Sequence, residues 1–506
     1  MGTVTMADTL HNLVVGFEVV LAPSVLLYAC LGCVIGTIVG VLPGLGPLAG
    51  ISILLPLSFG LPPTTAIVLL AGIYYGAMYG GSTTSILMRI PGEAASVVTC
   101  IDGYEMTRQG RAGPALAIAA IGSFVAGTLS VVALMLLAPP LARLALAFGP
   151  PEYLALLLMG LTVLSSIGSD PMPKTLTMAA LGLLLGTIGI DPMSGYNRFS
   201  GGIPELADGL GVVPLAVGLF GLSEIMLAYG NRATQPVGRP RLSELMPSRE
   251  EARLSIGPVW RGTVIGFLIG IIPGSAHILS SFVSYAIERR LSPHPERFGK
   301  GAVEGVAGPE SANNAAASGA FVPMLALGVP LGPVQAILIA VLIVHGIAPG
   351  PLLVAQQPQL FWGFIASMYV GNLVLLVLNL PLVGLFVWFL RLPYSYLYPV
   401  VLVCCLVGVY TVNFSMVDVL IMAAAGAGGY ALRRLRYDVA PVVLGFILAP
   451  MLEMAFRQSL AMSGGDYMIF FERPIATALL AVGILVPLLG GVPALLRRRG
   501  WKEASG

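Results

Sequence analysis

The feature that most constrains this chain is an apolar sequence that occurs twice and ends each time in Pro-Gly. Residues 35–44 read IGTIVGVLPG, and residues 265–274, 230 positions later, read IGFLIGIIPG. Proline removes a backbone donor and glycine tolerates unusual dihedral angles, so each copy predicts an apolar helix that is interrupted at its Pro-Gly. Interrupted helices at corresponding places in two halves of a chain are typical of binding sites in secondary transporters.

A second pair of sequences extends this repeat. Residues 80–91 read GGSTTSILMRIP and residues 319–330 read GAFVPMLALGVP, at an offset of 239. This match is looser and depends mainly on Gly80 with Gly319 and Pro91 with Pro330. The larger offset fits the polar stretch at 291–305. We therefore predict half-helices or re-entrant hairpins after Pro43, around Ser82–Pro91, after Pro273 and around Asn313–Pro330.

Composition makes the chain an integral membrane protein. Charged residues are 10% of the 506 positions and hydrophobic residues are 57%, whereas soluble domains carry about 25% charged residues. Residues 19–88 and 311–390 contain no Asp, Glu, Lys or Arg. A membrane-spanning helix needs about 20 apolar residues, so each stretch can cross several times. Segments of the length of a β-strand in which apolar and polar residues alternate are absent. The predicted fold is therefore an all-α polytopic membrane protein.

Charge and the repeat together predict the domain organisation. Residues 1–230 form a first half with repeat 1, 231–256 a cytoplasmic connector, 257–392 a second half with repeat 2, and 393–506 a C-terminal transmembrane scaffold. Basic loops favour the cytoplasm, which predicts a cytoplasmic C-terminus and an inverted second repeat. The basic residues that carry this prediction are Arg391, Arg433, Arg434, Arg436, Arg497, Arg498, Arg499 and Lys502. Residues 1–17 hold no Lys or Arg, which argues against a cleaved signal peptide.

The Pro-Gly interruptions supply the first candidate site. Breaking a helix leaves free N–H groups, which suit a carboxylate, and free carbonyls, which suit a cation. The candidates for binding the substrate are Gly44, Leu45, Gly46, Gly274 and Ser275. The candidates for contacting a cation through their carbonyls are Pro43, Pro47 and Pro273. The alternative is that both breaks are structural kinks.

Polar side chains inside the charge-free stretches supply the second candidate site. Ser82, Thr83 and Thr84 can bind a carboxylate or Na⁺, or can serve helix packing. Asn313 and Asn314 follow Glu310 by one helical turn, so the three can share a face. Two adjacent carboxamides in an apolar stretch are costly unless they are paired. We predict Asn313 and Asn314 as substrate ligands and Glu310 with Asn313 as cation ligands; the alternatives are packing for the asparagines and helix capping for Glu310.

Other chemistries find no support in the sequence. The HExxH, GxSxG and phosphate-binding P-loop motifs are absent, and nothing indicates nucleic-acid binding. Cys30 and Cys33 lie in an apolar run and favour packing over metal binding. We predict no enzyme activity and no cofactor. Energy for transport would come from an ion gradient or from another subunit.

At this point the motifs resemble those of a known family, the large membrane subunit of the tripartite tricarboxylate transporters (TctA-type). In the first half the resembling segments are GVLPGLGP at 40–47, YGGSTTSILMRIPGEAA at 79–95, TCIDGY at 99–104 and QGRAGPAL at 109–116. In the second half they are GIIPGSAH at 270–277, FGKGAVEGVAGPESANNAAASG at 298–319, GVP at 328–330 and HGIAPGP at 345–351. Arg89 departs from the family pattern, which usually has Asn there.

The resemblance implies a secondary importer of tricarboxylates or dicarboxylates in the bacterial inner membrane. It implies a Na⁺ or H⁺ gradient as the energy source. It also implies two partners, a small membrane subunit (TctB-type) and a periplasmic solute-binding protein (TctC-type). The alternatives are a membrane-embedded enzyme acting on a lipid, and a passive channel. Two charge-free cores argue against the enzyme, which would need acids, histidines or metal ligands clustered at one membrane face.

Overall fold

The fold is all-α, as the sequence predicts. The computed structural model describes residues 6–42, 46–167, 171–191, 193–228, 245–272, 276–389 and 394–486. The described residues are 79% helical. A two-stranded antiparallel hairpin, β1 (Gly189–Ile190) with β2 (Asn197–Arg198), is the sheet found within these ranges. Within the described part of the chain, five helices are long and apolar enough to cross a membrane, which supports a polytopic membrane protein.

The helices of the first half come before residue 229. They are α1 (Met6–Val20), α2 (Pro23–Val41), α3 (Gly46–Ser58), α4 (Pro63–Met88), α5 (Thr99–Arg108), α6 (Ala112–Ala145), α7 (Pro150–Ile167), α8 (Met172–Leu185), α9 (Val212–Ala216) and α10 (Ser223–Ala228). A π-helical segment, Val217–Leu222, joins α9 to α10. Short 3₁₀ turns occupy Ala94–Val97 and Pro204–Leu206.

The helices of the second half and the C-terminal region follow residue 248. They are α11 (Arg249–Gly270), α12 (Ala276–Leu291), α13 (Glu304–Gly319), α14 (Phe321–Leu327), α15 (Pro333–Val344), α16 (Leu353–Gln356), α17 (Pro358–Asn379), α18 (Val383–Phe389), α19 (Tyr394–Asn413), α20 (Met416–Arg434), α21 (Ala440–Met462) and α22 (Ile469–Glu472). A further 3₁₀ turn spans Pro295–Arg297, and an apolar helix spans Pro474–Val486. Helix α11 begins inside the range predicted as the connector, with Ser248 capping its N-terminus through Glu251.

Two central helices, α4 and α13, are buried along almost their entire length. Helix α2 packs against α4 through three glycines spaced by one helical turn. A β-carbon on any of the three would lie 2.2–2.4 Å from a carbonyl oxygen of α4. These pairs are Gly32 with Leu69, Gly36 with Ile73 and Gly40 with Ala77. Small residues are what allow membrane helices to approach this closely.

Helix α11 packs against α13 in the same way. A β-carbon on its three glycines would lie 2.2–2.5 Å from carbonyl oxygens of α13. These pairs are Gly262 with Gly308, Gly266 with Ala312 and Gly270 with Ala316. The glycines are related to those of α2 by an offset of 230 and the carbonyls to those of α4 by 239. The same two offsets that describe the sequence repeat therefore describe equivalent backbone contacts. Inversion of the second copy across the membrane stays a prediction.

The two central helices also end alike. Helix α4 terminates at Arg89 with φ of 59°, and α14, which continues α13, terminates at Gly328 with φ of 71°. These residues are again 239 positions apart. The interruption predicted within Ser82–Pro91 falls in the second part of that range, because α4 continues as a helix through Ser82 to Met88. The interruption lies at residues 89–93.

Both Pro-Gly signatures stand between helices. Helix α2 is followed by α3 and α11 by α12, and Leu42 already has extended backbone. The helix has therefore ended before Pro43. Pro43, Gly44, Leu45, Pro273, Gly274 and Ser275 lie outside the described residues.

The two repeats are interleaved. Helix α6 of the first half packs on α13, and α17 of the second half packs on α4. The C-terminal helices pack on the first half, with α21 against α7 and α8 and with α20 against the π-helical segment. Gly182 and Gly445 make the α8–α21 contact, each facing a carbonyl of the other helix. The predicted C-terminal scaffold is thus packed against α7–α10.

Alanine at one of the packing glycines tests this architecture. Gly36→Ala and Gly266→Ala place a β-carbon 2.4 and 2.2 Å from the opposing carbonyl oxygen, and overpacking costs about 1–3 kcal/mol. We expect both variants to unfold at a lower temperature in detergent. Gly160→Ala is the matched control, because a β-carbon there has no neighbour within 4 Å. Unfolding midpoints equal to the control would contradict glycine-dependent packing.

Candidate functional site

The candidate site is built around a carboxyl group on the central helix α13. Glu310 is 1% exposed. The Ser82 hydroxyl of α4 donates to its Oε2 at 2.5 Å, and the Thr99 hydroxyl of α5 donates to its Oε1. Glu310 therefore joins the second repeat to two helices of the first half.

A second carboxyl group, Glu93, lies in the turn after α4. Asn313 Nδ2, one turn along α13 from Glu310, donates to Glu93 Oε1 at 2.6 Å. A β-carbon at Gly81 would lie 2.8 Å from Glu93 Cγ, and one at Gly92 would lie 2.5 Å from Gly81 Cα. The glycines thus let the Pro-Gly-Glu turn fold back onto α4 and bring Glu93 to α13.

The neighbouring asparagine has different partners. Asn314 Nδ2 donates to Ser123 Oγ of α6 at 2.7 Å and to the Glu310 carbonyl at 3.1 Å. The two adjacent carboxamides therefore point to different helices. Asn313 Oδ1 is buried and has no hydrogen-bond partner among the described residues, so an acceptor atom beside Glu93 is left free.

The charge of this cluster is unbalanced. Within the ranges that the structure describes, no lysine, arginine or histidine forms an ion pair with Glu93 or Glu310. Both side chains are buried, and an isolated buried carboxylate is very costly. Each group must therefore carry a proton or have a cation nearby. A cluster of this kind can exchange a cation with its surroundings, and it lies where the two repeats meet.

The predicted site residues divide into three groups. Ser82, Asn313, Asn314 and Glu310 meet in the cluster. Thr83 is buried beside Ser82 and lines a small cavity with it. Thr84 instead donates to backbone carbonyls, including Gly40 of α2 at 3.5 Å, so its contacts are those of a packing residue.

Gly46 and Pro47 form the start of α3. Gly46 has φ of +59°, and no atom would approach a β-carbon there within 4 Å. The first turn of a helix leaves N–H groups free, not carbonyls. This end therefore suits an anion better than the cation that we predicted for Pro47.

Three cluster residues are missing from the sequence prediction. Glu93, Thr99 and Ser123 reach the cluster from a turn and two further helices. Glu93 follows the Pro-Gly that ends the second signature, and Thr99 opens the TCIDGY segment. Their places within these two motifs could have identified Glu93 and Thr99 from the sequence. Nothing in the sequence separates Ser123 from other small polar residues of an apolar helix.

Asp102 forms a second buried carboxyl site between the halves. Its Oδ1 accepts three backbone N–H bonds of 2.8–2.9 Å from residues 299, 301 and 302, and Tyr285 donates to its Oδ2 at 2.8 Å. Gly299 and Gly301 have positive φ, which turns their N–H groups toward the carboxylate. Successive backbone N–H groups in such turns make a concave anion site. Asp102 thus fastens α5 to the loop before α13.

Two polar side chains in the turn between α5 and α6 extend this contact. Gln109 donates to the Lys300 carbonyl at 2.7 Å. Arg111 forms an ion pair with Glu251 of α11 at 2.6 Å. Together with Asp102, these contacts hold the end of α5 against two segments of the second repeat.

These features define a class: a multi-pass, all-α membrane protein with a repeat of interrupted helices and a polar cluster shared between the copies. The chain belongs to the Tripartite tricarboxylate transporter TctA family, which matches residues 26–444. The predicted resemblance is thereby confirmed.

Two similar proteins come from Agrobacterium vitis. One, named "Uncharacterized 52.8 kDa protein in TAR-I ttuC' 3'region", is 48% identical over 494 residues, covering 98% of each chain. The other, named "Uncharacterized protein in TAR-II ttuC' 3'region", is 46% identical over 234 residues, covering 46% of this chain and 97% of that protein. No solved structure matches the chain.

Removal of the Asp102 carboxylate tests the contact between the halves. In Asp102→Ala, three backbone N–H groups and the Tyr285 hydroxyl lose their acceptor, and each buried unpaired group costs about 1–3 kcal/mol. We expect faster trypsin cleavage after the exposed Arg297 and Lys300 of the released loop, measured on the purified protein.

Two further variants serve as controls for this measurement. Asp208→Ala removes an exposed aspartate and should leave the cleavage rate unchanged. Asp102→Asn keeps an oxygen acceptor and should be intermediate. Cleavage of Asp102→Ala at the wild-type rate would show that the loop does not depend on this carboxylate.

Proposed function

We propose that this protein is the large membrane subunit of a tripartite importer that moves a tricarboxylate or dicarboxylate into the cell with a cation gradient. Membership of the family supports a transport subunit. The observation that carries the cation coupling is the pair Glu93 and Glu310, buried at the junction of the repeats without a basic partner in the described ranges. A group that must be neutralised by a proton or a metal ion is suited to take up and release that cation during transport.

The proposal for an anionic substrate draws on the helix starts after the two Pro-Gly signatures. Helices α3 and α12 each begin directly after an interruption. The free N–H groups and the dipole of a helix N-terminus stabilise negative charge. Two such ends in equivalent positions suit a substrate with two or more carboxylates. Asn313 remains the proposed side-chain ligand closest to the cation groups, since its Oδ1 is free while its Nδ2 holds Glu93.

The proposed partners and orientation follow from the family and from basic residues. We infer a small membrane subunit and a periplasmic binding protein that delivers the substrate. We infer the inner membrane of a bacterium and a cytoplasmic C-terminus. Arg433 and Arg434 lie in the last turn of α20, and Lys174 of α8 bonds to the Arg436 carbonyl at 3.1 Å. Four basic residues at one end of the bundle favour the cytoplasm for that end.

The experiment that tests the function is uptake by the assembled system. The protein is produced together with the proposed small membrane subunit and binding protein in a strain without carboxylate uptake, and labelled citrate and succinate serve as probes. We expect uptake that depends on the binding protein and collapses when Na⁺ and H⁺ gradients are removed. Uptake unaffected by either gradient would exclude the cation-driven importer and favour a passive channel.

The carboxyl groups give a sharper prediction. Glu310→Gln keeps the shape of the side chain but removes its ability to exchange a cation. We expect gradient-driven uptake to be lost, since ionisable residues inside membrane helices commonly belong to ion pathways, with normal membrane expression. Glu105→Gln is the matched control, because Glu105 pairs with Arg108 on the surface of α5. Equal uptake by the two variants would remove Glu310 from the mechanism.

The asparagine pair makes a separate prediction. Asn313→Ala and Asn314→Ala should both abolish uptake while leaving the amount of protein in the membrane largely unchanged. The physical reason differs between them, since Asn313 contacts Glu93 and Asn314 contacts Ser123. Asn197→Ala, at an exposed position of β2, is the control. Near-normal uptake by both variants would reduce the pair to a packing role.

A further inference from the structure

A small cavity lies beside the Glu310 cluster, where α4, α6 and α17 meet. Its volume is about 10 Å³, which is room for one occupant of the size of a water molecule. Residues with a side-chain oxygen line it from all three helices, together with Leu116, Ala119 and Ala120 of α6. The oxygen-bearing residues that line it are Tyr79, Ser82, Thr83, Ser123 and Asn379.

Two of these oxygens have no partner. Tyr79 Oη and Asn379 Oδ1 are buried and accept no hydrogen bond from any described residue. Tyr79 is 3% exposed and Asn379 is 4% exposed. The Asn379 amide is held in place because its Nδ2 donates to the Leu375 carbonyl at 3.0 Å. Buried polar atoms without a hydrogen-bond partner are costly. An occupant of the cavity that binds oxygen atoms would remove this cost.

The charge around the cavity favours a cation over water. Ser82 donates its proton to Glu310 at 2.5 Å, so the lone pairs of Ser82 Oγ remain for an occupant. Ser123 Oγ accepts from Asn314 at 2.7 Å and keeps a second lone pair. The Ser82 hydroxyl therefore lies between the Glu310 carboxylate and the cavity. The carboxylate supplies the negative charge that a cation in the cavity needs.

We propose that this cavity is a Na⁺ site whose ligands are Tyr79, Ser82, Thr83, Ser123 and Asn379. The set contains only hard oxygen atoms, which bind alkali and alkaline-earth cations and not soft metals. A single net charge on Glu310 matches a monovalent ion, and a void of about 10 Å³ has room for one ion of the size of Na⁺. The inference rests on the proposed cation-driven function and names the coupling ion and its position.

The location gives the ion a mechanical role. Tyr79 and Ser82 belong to the central helix of the first repeat, whereas Asn379 ends a helix of the second half. A Na⁺ held by both would tie α17 to α4 when it is bound and free Asn379 when it leaves. Occupancy of the cavity thereby changes how firmly the two halves are joined.

The test measures Na⁺ binding directly on the purified full-length protein. Thermal unfolding is followed in NaCl and in choline chloride at equal ionic strength, and radioactive Na⁺ binding gives the affinity. We expect NaCl to raise the unfolding temperature of the wild type above its value in choline chloride. Tyr79→Phe removes one ligand oxygen that holds no hydrogen bond, and it should weaken Na⁺ binding about tenfold, the lower end of what losing a partner of a metal site costs.

The control is a tyrosine on the same helix. Tyr75 Oη is also buried and unpartnered, but Tyr75 does not line the cavity. Tyr75→Phe should bind Na⁺ like the wild type. Asn379→Leu should lose binding and Asn379→Asp should keep it, because the aspartate retains an oxygen acceptor.

The outcomes separate this site from the proposed function. Equal Na⁺ affinity in Tyr79→Phe, Tyr75→Phe and the wild type would overturn the site, as would a wild type that Na⁺ does not stabilise because water alone occupies the cavity. Uptake driven by a cation gradient in that case would leave the proposed function standing. Loss of Na⁺ binding in Tyr79→Phe and Asn379→Leu, in a protein that takes up no carboxylate, would support the site and overturn the function.

Discussion

The close contact between glycine and carbonyl in two equivalent helix pairs is the constraint on which the rest of this structure depends. Helix α2 lies against α4, and α11 against α13, at a separation that leaves no space for a β-carbon. In a lipid bilayer the hydrophobic effect does not drive apolar helices together, so such helices associate through tight packing and polar contacts. The tight packing sets the position of α4 and α13. Those two helices in turn carry the polar side chains of the candidate site.

Once the central helices are fixed, interleaving of the repeats concentrates polar groups at their junction. Glu310 of one repeat meets Ser82 and Thr99 of the other, and Asn313 meets Glu93. None of these groups could remain alone in an apolar core without a large cost. Each repeat therefore satisfies polar groups of the other, while no basic side chain in the described ranges forms an ion pair with either carboxyl.

The contacts at the Asp102 loop complement this centre. Asp102, Gln109 and Arg111 hold the first repeat against the loop and helix of the second at one end of the molecule. The polar cluster joins the repeats at depth, and the Asp102 contacts join them nearer the end of α5. Because the Asp102 carboxylate accepts the N–H bonds of the loop, this junction is paired internally, whereas Asn313 Oδ1 in the Glu310 cluster has no partner among the described residues.

Sequence alone determined the repeat, the membrane class, the family and four members of the cluster, because periodic apolar residues, Pro-Gly breaks and costly polar residues are local signals. The sequence offsets of 230 for the packing glycines and 239 for the opposing residues also indicate which helix contacts of the two repeats are equivalent. Tertiary structure decided the rest. Thr84 faces α2, so its hydroxyl is used in packing, although its neighbour Ser82 reaches Glu310. Glu93, Thr99 and Ser123 join the cluster from a turn and from two further helices, and the approach of distant helices leaves no pattern within any one of them.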